Sequence, residues 1–305
     1  MTEDEKLKVG ELLALGHSQR AVSKLTGVPK STVGDYAKKL SGASESVTHH
    51  VPNARILLWD CETAPMLGYL WGLFKQNVGI NQLEDHSYML SWSAKWLGSD
   101  DVVGLSLANT KGYVAGSEDD SELIKPLKDL INSADIVVAH NQNGFDKKVF
   151  NTRLLVNGMT PPKPYKSVDT LQIAKKHFKF SSNKLDGIAM QLGLIQKIDT
   201  GGFKLWRGCT YGDEQSFKDM LEYNMQDVEV LEQVYLKLRA WDDRHPNVSH
   251  YTKQKGCPVC GSIHLFEYGY HETGVSRYPA YQCDDCGHVS RSRKKLDRTS
   301  EVINV

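Results

Sequence analysis

Between residues 4 and 40, apolar positions recur at helical spacing in three short stretches separated by turn residues. Ser18 suits the start of the second stretch and Pro29 or Ser31 the start of the third, with Gly27 at the break between them. Val22, Leu25 and Val28 are expected to face inward, as are Val33, Ala37 and Leu40. Residues 41–53, rich in polar groups and including Pro52, read as a linker. The pattern then changes. Arg55–Trp59 is a short apolar run leading into Asp60, and Tyr88–Leu97 and Val102–Asn109 read as further strands. Ser121–Ile131 has helical periodicity, Asp135–Ala139 reads as a buried strand, and Lys147–Val156, Leu171–Phe178, Leu185–Leu192 and Ser216–Leu238 read as helices. Strands giving way to helices predict a mixed α/β domain over 54–245, closed by the Pro-containing stretch at 244–247. Tyr268–Tyr270 and Tyr278–Gln282 suit a hairpin inside a small β module at 250–295, followed by a tail at 296–305.

Composition changes this picture little. A chain of 305 residues holds a full catalytic domain and small modules, and 40% hydrophobic with 24% charged residues is ordinary for a globular protein. Lys plus Arg and Asp plus Glu number 37 each, so the chain has no general basic field, and affinity for a polyanion requires local patches. The basic run Arg291–Arg298 is either a solvated terminus or such a patch. The first residues are acidic and no apolar run reaches membrane length, so a cytoplasmic protein, of a bacterium or a phage-infected host, with no membrane partner is expected.

Of six cysteines, Cys257, Cys260, Cys283 and Cys286 form two Cys-x-x-Cys pairs with 22 residues between them. Two such knuckles suit one structural Zn²⁺ in a zinc ribbon, slightly longer than usual. Replacement of a cysteine ligand by His264, His271 or His288 is the weaker reading. Phe266, Tyr268, Tyr270, Tyr278 and Tyr281 either stack on bases or, as expected in so small a module, fill its thin core.

Carboxylates concentrate chemistry in three places. In Asp60-Cys61-Glu62-Thr63, alternate residues of a strand address one face, while Cys61 is expected to point away and pack as a small hydrophobe. Asp-x-Glu recurs at 120 and 227, but the 120 copy opens a helix, where charge favours the N-terminus. In His140–Asp146 a strand ends in a loop that starts a helix, and Asp146 is either presented beside the first strand or caps that helix. In Tyr223–Asp227, four-residue spacing sets phenol and carboxylate on one helix face; the copies at 165 and 281 lack that context.

Asp-x-Glu-Thr, Asn141-x-x-x-Phe145-Asp146 and Tyr223-x-x-x-Asp227, in this order over residues 55–240, resemble the DEDDy branch of RNase H-like 3′–5′ exonucleases, which includes family B DNA polymerase proofreading domains and small phage and bacterial proteins. Ser167–Thr170 and Ser182–Ala189 look like the region between the family's second and third motifs. The resemblance implies an RNase H-like mixed sheet flanked by helices, with Asp60, Glu62, Asp146 and Asp227 holding two Mg²⁺ or Mn²⁺ ions. It gives Tyr223 a role in orienting the attacking water, since a phenol of pKa near 10 is a poor base. Asn141 and Phe145 become candidate nucleic-acid contacts. The stretch from Gly16 to Val33 resembles the helix-turn-helix of resolvase, invertase and transposase DNA-binding domains, making residues 1–40 a small all-α domain. Arg20, Lys24, Lys30, Lys38 and Lys39 would supply phosphate contacts, and Lys30, Ser31, Thr32 and Asp35 groove-facing positions. A three-helix protein-docking head is the other reading.

Together these features predict a two-metal-ion 3′–5′ exonuclease acting on DNA, as single strands or 3′ ends, or on RNA, with replication or recombination proteins as companions. Two alternatives remain: a structure-selective endonuclease or recombinase of the same fold, and a non-catalytic DNA-binding regulator.

Overall fold

A computed structural model describes residues 2–14, 18–40, 54–194, 202–252 and 255–296. The expected linker at 41–53 and the tail beyond residue 296 lie outside the described residues, as do Gly16 and the side chains of Lys38, Lys39 and Leu40. Three helices open the chain: α1 (Glu3–Ala14), α2 (Gln19–Thr26) and α3 (Lys30–Leu40). The Ser18 hydroxyl caps α2 by accepting from Ala21 N, and Gly27 ends it at φ +74°, a left-handed conformation that glycine adopts without steric cost. Val9, Val22, Val28 and Val33 form the core, with Leu12, Leu13 and Tyr36 packed against it. Leu25, expected inside, is 57% exposed: it lies three residues from Val22, on the edge of the buried stripe.

The central domain runs β1 (Ile56–Thr63), β2 (Leu67–Gly68), β3 (Leu83–Asp85), β4 (Met89–Trp96), β5 (Val102–Ser106), α4 (Ser121–Asn132), β6 (Ile136–Ala139), α5 (Asp146–Val156), β7 (Lys166–Asp169), α6 (Thr170–His177), α7 (Leu185–Gln191), α8 (Lys204–Thr210) and α9 (Glu214–Leu238). Its five-stranded sheet has the order β5-β4-β1-β6-β7; β5, β4 and β1 pair antiparallel, and β1, β6 and β7 parallel. Period-two alternation divides the core between the two faces. Leu57, Trp59 and Cys61 of β1 join Val137 and Ala139 of β6, packed with α4, α5, α8 and the first turns of α9 at Phe217 and Met220. Ile56 and Leu58 join Ile136 and Val138 beneath α6, α7 and the later turns of α9 from Val228 onward. The helix α9 lies across β1, β4 and β5, so the middle strand and the longest helix meet at the end where the apolar pattern of β1 gives way to Asp60 and Glu62.

Asp120 does more than bias a helix terminus. It is fully buried and accepts from Arg153 Nε at 2.6 Å, Arg153 Nη2 at 2.9 Å, Asn157 Nδ2 at 2.7 Å and Met89 N at 2.9 Å, tying α4, α5 and β4 together.

The C-terminal module is a three-stranded sheet of order β10-β9-β8, with β8 (Leu265–Glu272), β9 (Arg277–Cys283) and β10 (Val289–Arg291). Its core is Cys257, Val259, Cys260 and Cys283, with Leu265 and Cys286 against it. The expectation that its aromatics fill the core fails for Phe266, Tyr268 and Tyr270, which are 46–62% exposed, because among the described residues no second layer covers β8.

Candidate active site

The C-terminal end of β1 supplies the first carboxylates. Asp60 and Glu62 share the parity of Ile56 and Leu58, and therefore the α9 face of the sheet. On α9, Tyr223 and Asp227 stand one turn apart. Carboxylate oxygens of Asp60, Glu62 and Asp227 lie within 4.8 Å of one another. Asp146, the first residue of α5, lines the same pocket but stands outside that triad.

Asp146 is only 2% exposed, and its Oδ1 lies 3.6 Å from the Cys61 thiol, which donates to it. Cys61 is buried as expected, but on its side of the strand it meets a carboxylate rather than apolar atoms alone. Burial pushes the Asp146 carboxyl up to about 7, with the neighbouring Asp169 acting in the same direction, while hydrogen bonds from its own backbone and from Cys61 pull it down. Burial also raises the Cys61 thiol well above its ordinary value, reinforced by Asp146, Asp60 and Glu62. It stays a neutral thiol, and the cluster presents oxygen ligands only. Such a donor set suits a hard divalent cation such as Mg²⁺ or Mn²⁺.

Two neighbours hold the triad, and neither stands out in the sequence. Asn224, fully buried on α9, donates from Nδ2 to Asp60 Oδ2 at 2.7 Å. Trp206 on α8 donates from Nε1 to Glu62 Oε2 at 3.2 Å and meets the Tyr223 ring edge-on at 6.1 Å. Asn224 sits inside the Tyr223–Asp227 motif, three residues before Asp227, which is a usable signal. Trp206 is on a short helix whose buried residues are Leu205 and Cys209, too sparse an apolar pattern to predict it.

The loop before α5 is fixed by Asp169, whose carboxylate accepts from Asn141 N at 2.9 Å, Asn143 N at 3.1 Å and Leu171 N at 3.1 Å. Asn141 takes φ +69°, a conformation asparagine tolerates better than most residues, and turns the chain at the end of β6. His140 bridges the Thr170 hydroxyl and the Asn183 carbonyl, both at 2.9 Å, joining this loop to the start of α7. The pocket, about 630 Å³, is lined by Asp60, Glu62, Asp146, Tyr223 and Asp227 on one side and by Asn141, Phe145, Lys175 and Lys184 among others. Phe145 is 42% exposed, and Lys175 and Lys184 are exposed. Thus the expected site residues Asp60, Glu62, Asp146, Tyr223, Asp227, Asn141 and Phe145 converge, and the lysines join them unpredicted.

Residues 98–239 match the RNase_H_2 family model, described as RNase_H superfamily. The central domain has an RNase H-like fold. The matched segment contains Asp146, Tyr223 and Asp227 and begins after Asp60 and Glu62. Among solved structures, the family B DNA polymerase of the hyperthermophilic archaeon Pyrobaculum calidifontis is similar at a TM-score of 0.46 and 14% identity, over 74% of this chain and 32% of that chain. No curated protein sequence matches.

A second cluster lies in the C-terminal module. The sulfurs of Cys257, Cys260, Cys283 and Cys286 are within 4.8 Å of one another, with Cys257–Cys286 and Cys260–Cys283 at 3.6 Å. These separations are far longer than a disulfide, and a tetrahedral ion with metal–sulfur bonds of about 2.3 Å needs sulfur–sulfur edges of about 3.8 Å. Among the other expected contacts, Arg20, Lys30 and Ser31 are exposed on α2 and α3, whereas Thr32 is half-buried. Among the described residues, no helix is long and apolar enough to cross a membrane.

Proposed function

We propose that the chain is a DEDDy-type, two-metal-ion 3′–5′ exonuclease that releases nucleoside 5′-monophosphates from DNA or RNA. The convergence of the Asp60, Glu62 and Asp227 oxygens within 4.8 Å, beside Tyr223 and Asp146 in one pocket, carries this reading. Asp60, Glu62, Asp146 and Asp227 would hold two Mg²⁺ or Mn²⁺ ions, which lower the pKa of a bound water and stabilise charge on the leaving oxygen. Tyr223 sets its phenol at the pocket wall, where it orients a water by hydrogen bonding. Asn224 and Trp206 fix the first two carboxylates through their N–H donors. Lys175 and Lys184 bring positive charge to a pocket otherwise dominated by carboxylates, which favours a phosphodiester over a neutral substrate. The exposed Phe145 ring offers a stacking surface for a terminal base, and Asn141 polar contacts beside it.

The flanking modules fit recruitment to nucleic acid. The first three helices act as a helix-turn-helix with α3 toward DNA, and the four-cysteine module acts as a ribbon closed around one structural Zn²⁺, since four thiolates leave no open coordination position.

The decisive assay digests 3′- and 5′-labelled DNA and RNA with Mg²⁺ or Mn²⁺, using the wild type, Asp227→Asn and Asp146→Ala. Mononucleotides released from 3′ ends by the wild type alone are the expected result. Equal activity in all three proteins, or nicking of closed circles without mononucleotide release, would sink the proposal.

A further inference from the structure

The C-terminal module is seated on the far end of α9. Val248 N donates to the Pro258 carbonyl at 2.8 Å, and His288 Nδ1–H donates to the Ala240 carbonyl at 2.8 Å. Arg239 immediately follows α9 and is 0% exposed. Among the described residues, none of its three guanidinium nitrogens has a partner within hydrogen-bond distance and angle; the Tyr235 hydroxyl, already held by His245, is the polar group that comes near, and it brings no charge. A guanidinium does not deprotonate in a protein, so this is a permanent buried cation.

Its surroundings point toward the cysteines. The guanidinium carbon lies 5.9 Å from the centre of the Tyr235 ring, and the Tyr235 hydroxyl is engaged with His245 Nε2 at 2.8 Å. Tyr235 is within electrostatic reach of both Arg239 and Cys260, and His245 of Arg239, His288 and Cys257. The carboxylate next along the chain, Asp242, also reaches Tyr235, but its own hydrogen bond comes from the Arg244 amide and its largest electrostatic neighbours are Asp243, His177 and Lys176. A divalent ion held by four thiolates leaves two negative charges uncancelled. Buried in the same seam, that centre supplies the counter-charge that Arg239 lacks, and Arg239 supplies one that the thiolates need.

We propose that Arg239 is the counter-cation of the four-cysteine metal centre, so that metal loading and seating of the C-terminal module on α9 are one electrostatic event. The inference rests on the structural-metal reading of the four cysteines. It anchors the module to the helix that carries Tyr223 and Asp227, twelve residues beyond Asp227. Arg239 acts through charge at a distance and not as a ligand.

The test uses the full chain as wild type, Arg239→Lys and Arg239→Met. Zinc content is measured first, then zinc release to a chromogenic chelator, then melting of the loaded and stripped proteins. Wild type and Arg239→Lys should retain zinc within a few-fold of each other, whereas Arg239→Met should hold it at least about tenfold less tightly. Stripped Arg239→Met should melt no lower than stripped wild type, because the stripped wild type buries an uncompensated cation. Should Arg239→Met not accumulate as folded protein, Arg239→Gln against Arg239→Lys gives the same contrast of charge at similar length. Zinc held equally by all variants, or lost equally from Arg239→Lys and Arg239→Met, overturns the counter-charge role alone. A wild type without zinc overturns the metal reading and this inference with it.

Discussion

The Asp146 carboxyl sits where burial disfavours its charged form, and the proton it keeps has consequences for any cation that binds beside it. Its pKa is pushed up to about 7 in the folded chain, from 3.8 for the free side chain. Between those values the folded state binds a proton that the unfolded state has lost, so stability of the metal-free protein falls as pH rises through that window. A cation that needs the carboxylate must displace this proton below pH 7. Mn²⁺ affinity should therefore climb by about tenfold per pH unit up to that point and flatten above it. Calorimetry in buffers of different ionisation heat reads the released proton, and a pH-independent affinity would contradict the assignment. The donors to Asp60 and Glu62 make a second expectation. Trp206→Phe removes the indole N–H but keeps a ring beside Tyr223, so Mn²⁺ affinity should drop about 10- to 100-fold with little change in melting temperature. An unchanged Mn²⁺ titration would show that the 3.2 Å hydrogen bond does not position Glu62. The carboxylates are legible in the sequence because their residue types announce metal chemistry. Their supporting donors are less so: the Trp206 indole, 144 residues from Glu62, carries no local pattern, and Asn224, 164 residues from Asp60, is marked only by its place inside the Tyr223–Asp227 motif.

Elements long enough to show a period are readable from the chain: α4, α9 and β4 lie within two residues of their expected bounds. The strand β7 buries a single apolar residue, Val168, and the helix α8 buries Leu205 and Cys209 around an internal Gly208, so neither carries the apolar run or stripe that makes the equally short β6 and α7 legible. They matter to the site, because β7 delivers Asp169 to the Asn141 loop and α8 delivers Trp206 to Glu62. The position of α8 depends on close approach to α9. A Cβ built on Gly208 would overlap Ser216 Oγ and stand 2.8 Å from Ser216 Cβ, so Gly208→Ala must push the two helices apart. The expected cost is about 1–3 kcal/mol by denaturant unfolding, accompanied by weaker Mn²⁺ binding as Trp206 withdraws. The Asp120 network sets a larger stake. In the sequence its aspartate reads as a helix-terminal charge because the partner Arg153 is 33 residues away. Arg153→Met leaves the Asp120 carboxylate buried without its fork of donors, and removing one partner of such a pair costs about 3–5 kcal/mol. A loss under about 1 kcal/mol, within the range of an exposed pair, would show that water reaches this carboxylate.

At the scale of the whole molecule, 37 basic and 37 acidic side chains leave no long-range field to draw in a polyanion. If the chain works on nucleic acid, the attraction must be local, and besides the basic run Arg291–Arg298 the helices α2 and α3 offer an exposed group of cations. Arg20 and Lys24 on α2 and Lys30 and Ser31 on α3 are all exposed, while Val22, Val28 and Val33 hold the two helices together from the opposite side. Each phosphate bound displaces counterions, so affinity falls with salt in proportion to the number of phosphates neutralised. Arg20→Ala combined with Lys30→Ala should therefore weaken duplex binding on unrelated sequences alike and flatten the plot of log affinity against log salt by about one unit for each phosphate no longer neutralised. Mn²⁺ binding at the pocket should not change, because neither side chain lines it. A helical head that docks another protein gives the opposite result: duplex affinity and its salt slope stay as they are in the double variant. Because the pocket supplies its own cations, Lys175 and Lys184, hydrolysis of short single strands should survive in the double variant even as duplex binding fails. That separation distinguishes a head that recruits the substrate from one that forms part of the catalytic site.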